Sequence, residues 1–83
     1  MTKDNFAAFH DFTGFRDSEE CNIYGGDAVE YFDDEGGYGK GIVTIDKRNG
    51  EYYIRNPQEE KFQTIKSITM LKNFAPRHVR VLK

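Results

Sequence analysis

From Gly26 to Asn56 the polar and apolar positions alternate in short runs separated by two different turns, a pattern that predicts three consecutive strands. Val29 and Tyr31 alternate with Ala28, Glu30 and Phe32. An acidic glycine loop, Asp33-Asp34-Glu35-Gly36-Gly37, follows, and a second β-rich run covers Ile42 to Ile45 before the turn signal Asn49-Gly50. Asn-Gly suits a two-residue type I′ turn because both central positions there need positive φ. Such a turn pairs Arg48 with Glu51, Lys47 with Tyr52, Asp46 with Tyr53, Ile45 with Ile54 and Thr44 with Arg55. Alternation from that register puts Val43, Ile45, Tyr52 and Ile54 on a core face, and Thr44, Asp46, Tyr53 and Arg55 on the other.

The flanks read differently. Phe6, Phe9, Phe12 and Phe15 recur every third residue, which predicts a short N-terminal helix capped by Asp4, favoured by Ala7 and Ala8, and ended at Gly14. This stripe either closes an open barrel end or offers an exposed anchor; the first is expected, since four exposed Phe make an unusually large apolar patch. Residues 16–26 read as loop, with Ile23 and Tyr24 tucked under the sheet. Within NPQEEKFQTIKSITML, Asn56, Pro57 and Glu59 form a helix-start signal. Phe62, Ile65, Ile68 and Leu71 nevertheless spiral around a helix, and the β-branched residues favour a strand over much of 61–70 after a turn at 57–60. Ala75 and Pro76 interrupt the chain, and Val79 to Lys83 forms the last strand with Val79 and Val81 inward. The expected fold is mainly β: one domain over residues 1–83, with an N-terminal Phe-rich helix and loop over 1–25 and a small five-stranded, partly open barrel over 26–83.

Composition narrows the function. The 83 residues suit a single core, to which seven Phe and five Tyr contribute bulk in the absence of Trp. No apolar run approaches the roughly 20 residues of a membrane span, and the N-terminus does not read as a secretory signal, so a cytoplasmic protein without membrane attachment is expected. Cys21 has no partner for an internal disulfide, and with only His10 and His78 it completes no zinc set. The acidic glycine loop lacks the alternating ligands of a calcium loop. No metal, cofactor or catalytic set is expected. His10, Asp11 and His78 have no nucleophile beside them in sequence, and the chain reads as a non-enzyme.

The net charge of −2 hides an asymmetry. Residues 1–36 carry ten carboxylates against two cations, net −8, and residues 37–83 carry ten cations against four carboxylates, net +6. In a barrel the halves interleave and the charges mix over the surface. Segregated, they would instead give a dipolar protein that steers a charged partner.

The strand pattern has a family counterpart. Gly26-Asp27-Ala28-Val29, the glycine loop and Gly39-Lys40-Gly41-Ile42-Val43 resemble the KOW pattern of Gly-Asp-x-Val followed by a glycine-led strand ending in valine. The tail NFAPRHVRVL is similar to the end of Src-homology domains, where a proline begins a 3₁₀ turn into the last strand. The resemblance, over about residues 26–83, is to the Src-homology-like small barrels that include KOW and Tudor modules. It implies a five-stranded barrel with a 3₁₀ turn before the last strand. Val79 stands where peptide-binding members carry a tyrosine, and the chain has no Trp, so a Pro-rich peptide is not the expected ligand.

Two function classes follow. The first is a protein-interaction module whose acidic loop and basic tail dock complementary charges around aromatic anchors. Its contact residues are Asp33, Asp34, Glu35, Tyr38, Tyr53, Arg55, Arg77, His78 and Arg80. Small acidic barrels without a catalytic set are also the kind of product with which a phage or other mobile element modulates or inhibits a host protein complex. The second is a KOW- or Tudor-like nucleic-acid-binding barrel using the basic C-terminal half, with Tyr38 and Tyr53 as stacking platforms; the acidic half opposes it. A monomer or weak dimer is expected.

Overall fold

The computed structural model describes residues 6–56 and 68–82. Its strands are β1 (Phe6–Ala7), β2 (Phe12–Arg16), β3 (Asn22–Tyr24), β4 (Ala28–Phe32), β5 (Tyr38–Asp46), β6 (Tyr52–Arg55), β7 (Ile68–Met70) and β8 (Val79–Val81). Five of them form an antiparallel sheet in the order β7-β6-β5-β4-β8, and β1 adds to the far end of β5. The sheet is not closed into a barrel among the described residues. A 3₁₀ turn, Leu71–Asn73, precedes the return of the chain to β8, which lies against β4.

One face of the sheet builds the core. Val29 and Tyr31 from β4, Val43 from β5, Ile54 from β6, Leu71 and Val79 are fully buried together, as the strand alternation predicts. Ile23 joins them from the β2–β3 ribbon, and Phe15, Tyr52, Phe74 and Val81 pack at the margin. The tyrosine ring of Tyr31 meets Phe74 edge-on, with centroids 5.3 Å apart. Burial pushes the Tyr31 phenol above its ordinary pKa.

Among the described residues the expected N-terminal helix is absent, and its cap, Asp4, lies outside them. Phe6–Ala7 and Phe12–Arg16 are strands, and residues 22–24, read as loop, form β3. The reason is tertiary: Thr13 turns inward and its hydroxyl donates to the Ile23 carbonyl at 2.8 Å, a cross-strand bond that a helix over this segment forgoes. Gly14, at φ +87, takes up the register shift between Phe12 and Arg16. The Phe stripe therefore divides: Phe15 packs on the core, whereas Phe9 and Phe12 remain 54% and 49% exposed. Ile23 does tuck under the sheet, but Tyr24 is half-buried on the opposite side of β3, beside Phe12.

The β5–β6 hairpin keeps its predicted facing and changes its register. Ile45 pairs with Tyr52, Thr44 with Tyr53, Val43 with Ile54 and Ile42 with Arg55, two residues from the expected pairing. The connection is a longer loop, 47–50, closed by the Asp46 N–H donating to Glu51 O and the Gly50 N–H donating to Asp46 O. Only Gly50 has positive φ there, +73, so Asn49 does not supply the second left-handed position of a type I′ turn. Asp46 explains the change. Its buried carboxylate accepts from the Arg48 N–H at 2.9 Å and from the Arg48 guanidinium at 3.0 and 2.7 Å, which stabilises the four-residue loop. A shift of two leaves every side chain on its own face.

Those bonds, with the Arg48 charge, hold the Asp46 carboxyl below the usual carboxylate range against the opposing effect of desolvation. A depressed folded-state pKa contributes stability that is present above the unfolded value, near 4, and is lost as pH falls through the folded one. Thermal melts from pH 7 to pH 2.5 should show stability declining below about pH 4, with a shallower decline in Asp46→Asn. An identical acid slope in the variant would remove Asp46 as a contributor.

Of the strand expected over 61–70, residues 68–70 are β7; the turn at 57–60 and residues 61–67 lie outside the described residues. The Ala75-Pro76 peptide is cis, and the final strand follows as expected, with Val79 buried and Val81 packed on the core. No helix among the described residues is long and apolar enough to cross a membrane.

Candidate functional site

The face opposite the core carries the polar side chains of β4, β5 and β8, and pairing of distant segments makes them one surface. Glu30 stands directly across from Lys40 on one side and Arg80 on the other. Its carboxylate forms an ion pair with the Arg80 guanidinium and accepts from the Tyr38 hydroxyl at 3.3 Å. Partial burial and the adjacent Glu30 charge push the Tyr38 phenol upward, while Arg80 pulls the other way. Lys40, Glu30 and Arg80 thus make an alternating row of charge across three strands.

The turn between β4 and β5 sits beside this row. Asp33 is spent on building it: one carboxylate oxygen accepts the N–H groups of Glu35 and Gly37 at 2.9 and 2.6 Å, and the Asp33 N–H donates to Gly37 O at 3.0 Å. Asp34 and Glu35 are left projecting from a fixed loop. Asp34 Oδ1 lies 2.9 Å from His78 Nε2, joining residues 44 apart in the chain. The His78 ring also meets Phe32 edge-on at 5.8 Å, and its backbone bonds to Phe74 O and Phe32 N–H hold it at the mouth of β8. Asp34 is 89% exposed, which places the pair at the surface.

Of the nine side chains singled out from sequence, the structure brings Asp34, His78, Tyr38 and Arg80 into a connected patch, with Glu35 beside Asp34 and exposed Arg77 beside His78. Asp33 belongs to the loop's framework. Tyr53 and Arg55 are half-buried on β6, opposite Thr44 and Ile42, so they share the outward face but stand two strands from β4. Thr44 and Asp46, assigned to the same outward face, are buried.

Glu30 and Phe32 were missed as members of the patch. Their alternation with Val29 and Tyr31 already placed them outward; what was lacking was β8 as the neighbour of β4. The charge halves interleave here, because the basic last strand lies on the acidic β4. Arg80 and His78 both have carboxylates against them, so this end of the sheet is a mixed-charge surface with aromatic content.

The β2–β3 ribbon is held to the sheet by a second carboxylate. Asp17, 2% exposed, accepts the N–H groups of Glu19 and Cys21 with one oxygen, at 2.9 and 2.8 Å, and that of Val81 with the other, at 3.0 Å. The Ser18 N–H donates to Val79 O at 2.8 Å, so the ribbon's turn covers the outer edge of β8. Cys21 is a half-buried thiol beside this turn. Among the described residues, no three His, Cys, Asp or Glu side chains are grouped to hold a metal ion. Comparisons with protein-family models, with curated proteins and with solved structures found no match to this chain.

Proposed function

We propose that this chain is a non-catalytic protein-interaction module of Src-homology-like architecture, which docks and modulates a larger protein complex through the end of the sheet where the 33–37 turn meets β8. The observation that carries this reading is the meeting of Asp34 with His78, which joins the acidic loop and the basic tail beside Tyr38 and Phe32. A fixed loop with two projecting carboxylates, flanked by aromatic rings and by Arg77, has the mixture that complementary protein surfaces use for register and on-rate. The five-stranded antiparallel order with β8 beside β4 supports the architectural part, although the 3₁₀ turn, Leu71–Asn73, ends before Pro76 and is not begun by it.

A protein partner is favoured over nucleic acid by the pairing of the basic strand. Arg80 faces Glu30 and His78 faces Asp34, so both of these basic side chains meet a polyanion with a carboxylate already against them.

The test is capture from cell lysate by the immobilised chain, compared with Asp34→Lys and Glu35→Lys together. Asp33 stays unchanged because it builds the loop. The reversal should lower recovery of the captured protein about tenfold while leaving the thermal melt in place. Undiminished capture removes the loop from the contact. Retention on immobilised nucleic acid at low salt, falling steeply as salt rises, would move the assignment to the nucleic-acid reading.

A further inference from the structure

The β2–β3 ribbon carries a second surface that the sheet-end patch does not use. Phe12 and Tyr24 are a cross-strand pair with rings 5.7 Å apart, and His10 stacks on Tyr24 with centroids 5.2 Å apart and planes 17° from parallel. Phe9 precedes His10 in the chain, and about half of each of Phe9 and Phe12 is exposed. The backbone beneath is fixed: the Asp11 N–H donates to Phe9 O at 2.8 Å, and the Gly25 N–H donates to Asp11 O at 2.9 Å. Apolar rings held outward on a rigid support lose little entropy when covered.

The accessible charge of this segment is net acidic. Of the charges in residues 7–27, Asp11, Glu19 and Glu20 are exposed and Asp27 half-buried against the exposed Arg16, while Asp17 is buried on backbone N–H groups; Asp11 sits between His10 and Phe12 with its side chain exposed. We propose that the outward aromatic face of this ribbon, formed by Phe9, His10, Phe12 and Tyr24, docks an extended Lys- or Arg-bearing segment of a partner protein. Cationic side chains gain from the ring faces and from the carboxylates together, and apolar side chains between them cover Phe9 and Phe12. A second copy of this chain is disfavoured, because face-to-face pairing brings together two ribbons whose accessible charge is net negative. An anionic membrane surface is disfavoured for the same reason.

The proposal stands apart from the sheet-end reading, since its residues lie on the ribbon. Its test uses the full chain at 150 mM salt, about physiological screening, with a fluorescent peptide of alternating Arg and Leu as probe and one of alternating Glu and Leu as control. Fluorescence anisotropy should show the Arg peptide binding at least about tenfold more tightly than the Glu peptide. The Phe9→Ala and Phe12→Ala double variant should lose about tenfold in affinity for the Arg peptide with an unchanged fold by circular dichroism. Amide shifts on titration should centre on residues 9–12 and 24.

Asp34→Lys with Glu35→Lys should weaken that peptide less than the double Phe variant does. The reverse order would place the peptide on the sheet end and overturn the proposal, as would equal binding of the two peptides. A concentration-dependent dimer abolished by the Phe substitutions would assign the face to a second copy, and binding to phosphatidylserine vesicles abolished by them would assign it to membrane. Either outcome overturns the proposal.

Discussion

Replacing Gly25 with Ala should destabilise the protein by about 3 kcal/mol, the upper part of the range for overpacking. Gly25 is buried, and a Cβ placed on it would run into the carbonyl oxygen and carbon of Phe9. These are main-chain atoms, so no side-chain rotation relieves the clash. The two segments are also bonded to one another through Asp11, whose carbonyl accepts the Gly25 N–H. Relief therefore means moving residues 9–11 away from the ribbon, which gives up that bond and the stacking of His10 on Tyr24. Urea denaturation measures the loss directly. In a thermal melt it corresponds to about 4–8 °C for each kcal/mol in a domain of this size. A variant within about 0.5 kcal/mol of the parent, as for an ordinary surface change, would show that residues 9–11 do not pack on Gly25.

Asp17→Ala should cost a similar amount, about 3 kcal/mol, for an electrostatic reason. The three N–H groups of Glu19, Cys21 and Val81 converge on one carboxylate that is 2% exposed. Bonds to a charged acceptor contribute more than neutral ones, and removing the acceptor leaves donors that the surroundings do not replace. Asp17→Asn should recover little, because the amide presents one oxygen to donors that engaged two and turns its own N–H groups toward them. Amide exchange gives a readout beyond global stability. The Val81 N–H should lose its protection in Asp17→Ala more than the N–H groups shared between β4 and β5, since its acceptor is the residue removed. Equal loss of protection at both places would mean that Asp17 stabilises the fold as a whole and does not specifically tie the ribbon to β8.

The two substitutions act at opposite ends of the same ribbon, with separate readouts. Gly25→Ala disturbs the support of the aromatic face, whereas Asp17→Ala releases the turn from β8. An effect of Gly25→Ala on the Arg-containing peptide, with sheet-end capture preserved, would separate the two proposed contact surfaces.

Much of the sheet was legible because its signals are local. Val29 and Tyr31 alternate with Glu30 and Phe32, and Val43 and Ile54 flank a turn, so their inward facing follows from the period of a strand. The hairpin register was less legible: Asn49-Gly50 suggested a two-residue turn, and the competing local signal was Asp46, two residues before Arg48 and able to bind both its N–H and its guanidinium. The Phe spacing at 6, 9, 12 and 15 suggested a helix. Thr13 and the short alternating run Asn22-Ile23-Tyr24 were the signals for the ribbon, but a three-residue strand gains its stability from the neighbour it pairs with.

The candidate sites divide in the same way. Tyr38, His78 and Arg80 could be selected as residue types, and Asp34 and Glu35 as members of an acidic turn. Their convergence depends on β8 returning to β4 across more than 40 residues of chain, for which no local pattern encodes a partner. Asp33 looked identical to Asp34 in sequence, and only its bonds to Glu35 and Gly37 distinguish a loop builder from a projecting charge.

By itself, then, the sequence determined the predominance of β structure, the inward faces of β4, β5 and β6, the last strand and the asymmetry of charge, because each depends on residue type and short-range periodicity. The tertiary structure alone decided that the Phe-rich segment becomes strands, that Asp17 binds the ribbon to β8, that the basic last strand lies on β4 with Arg80 against Glu30, and that His10 and Phe12 both pack on Tyr24. Those outcomes are set by which distant backbone groups satisfy one another's hydrogen bonds and which side chains are left in water, quantities that exist only once the chain has closed on itself.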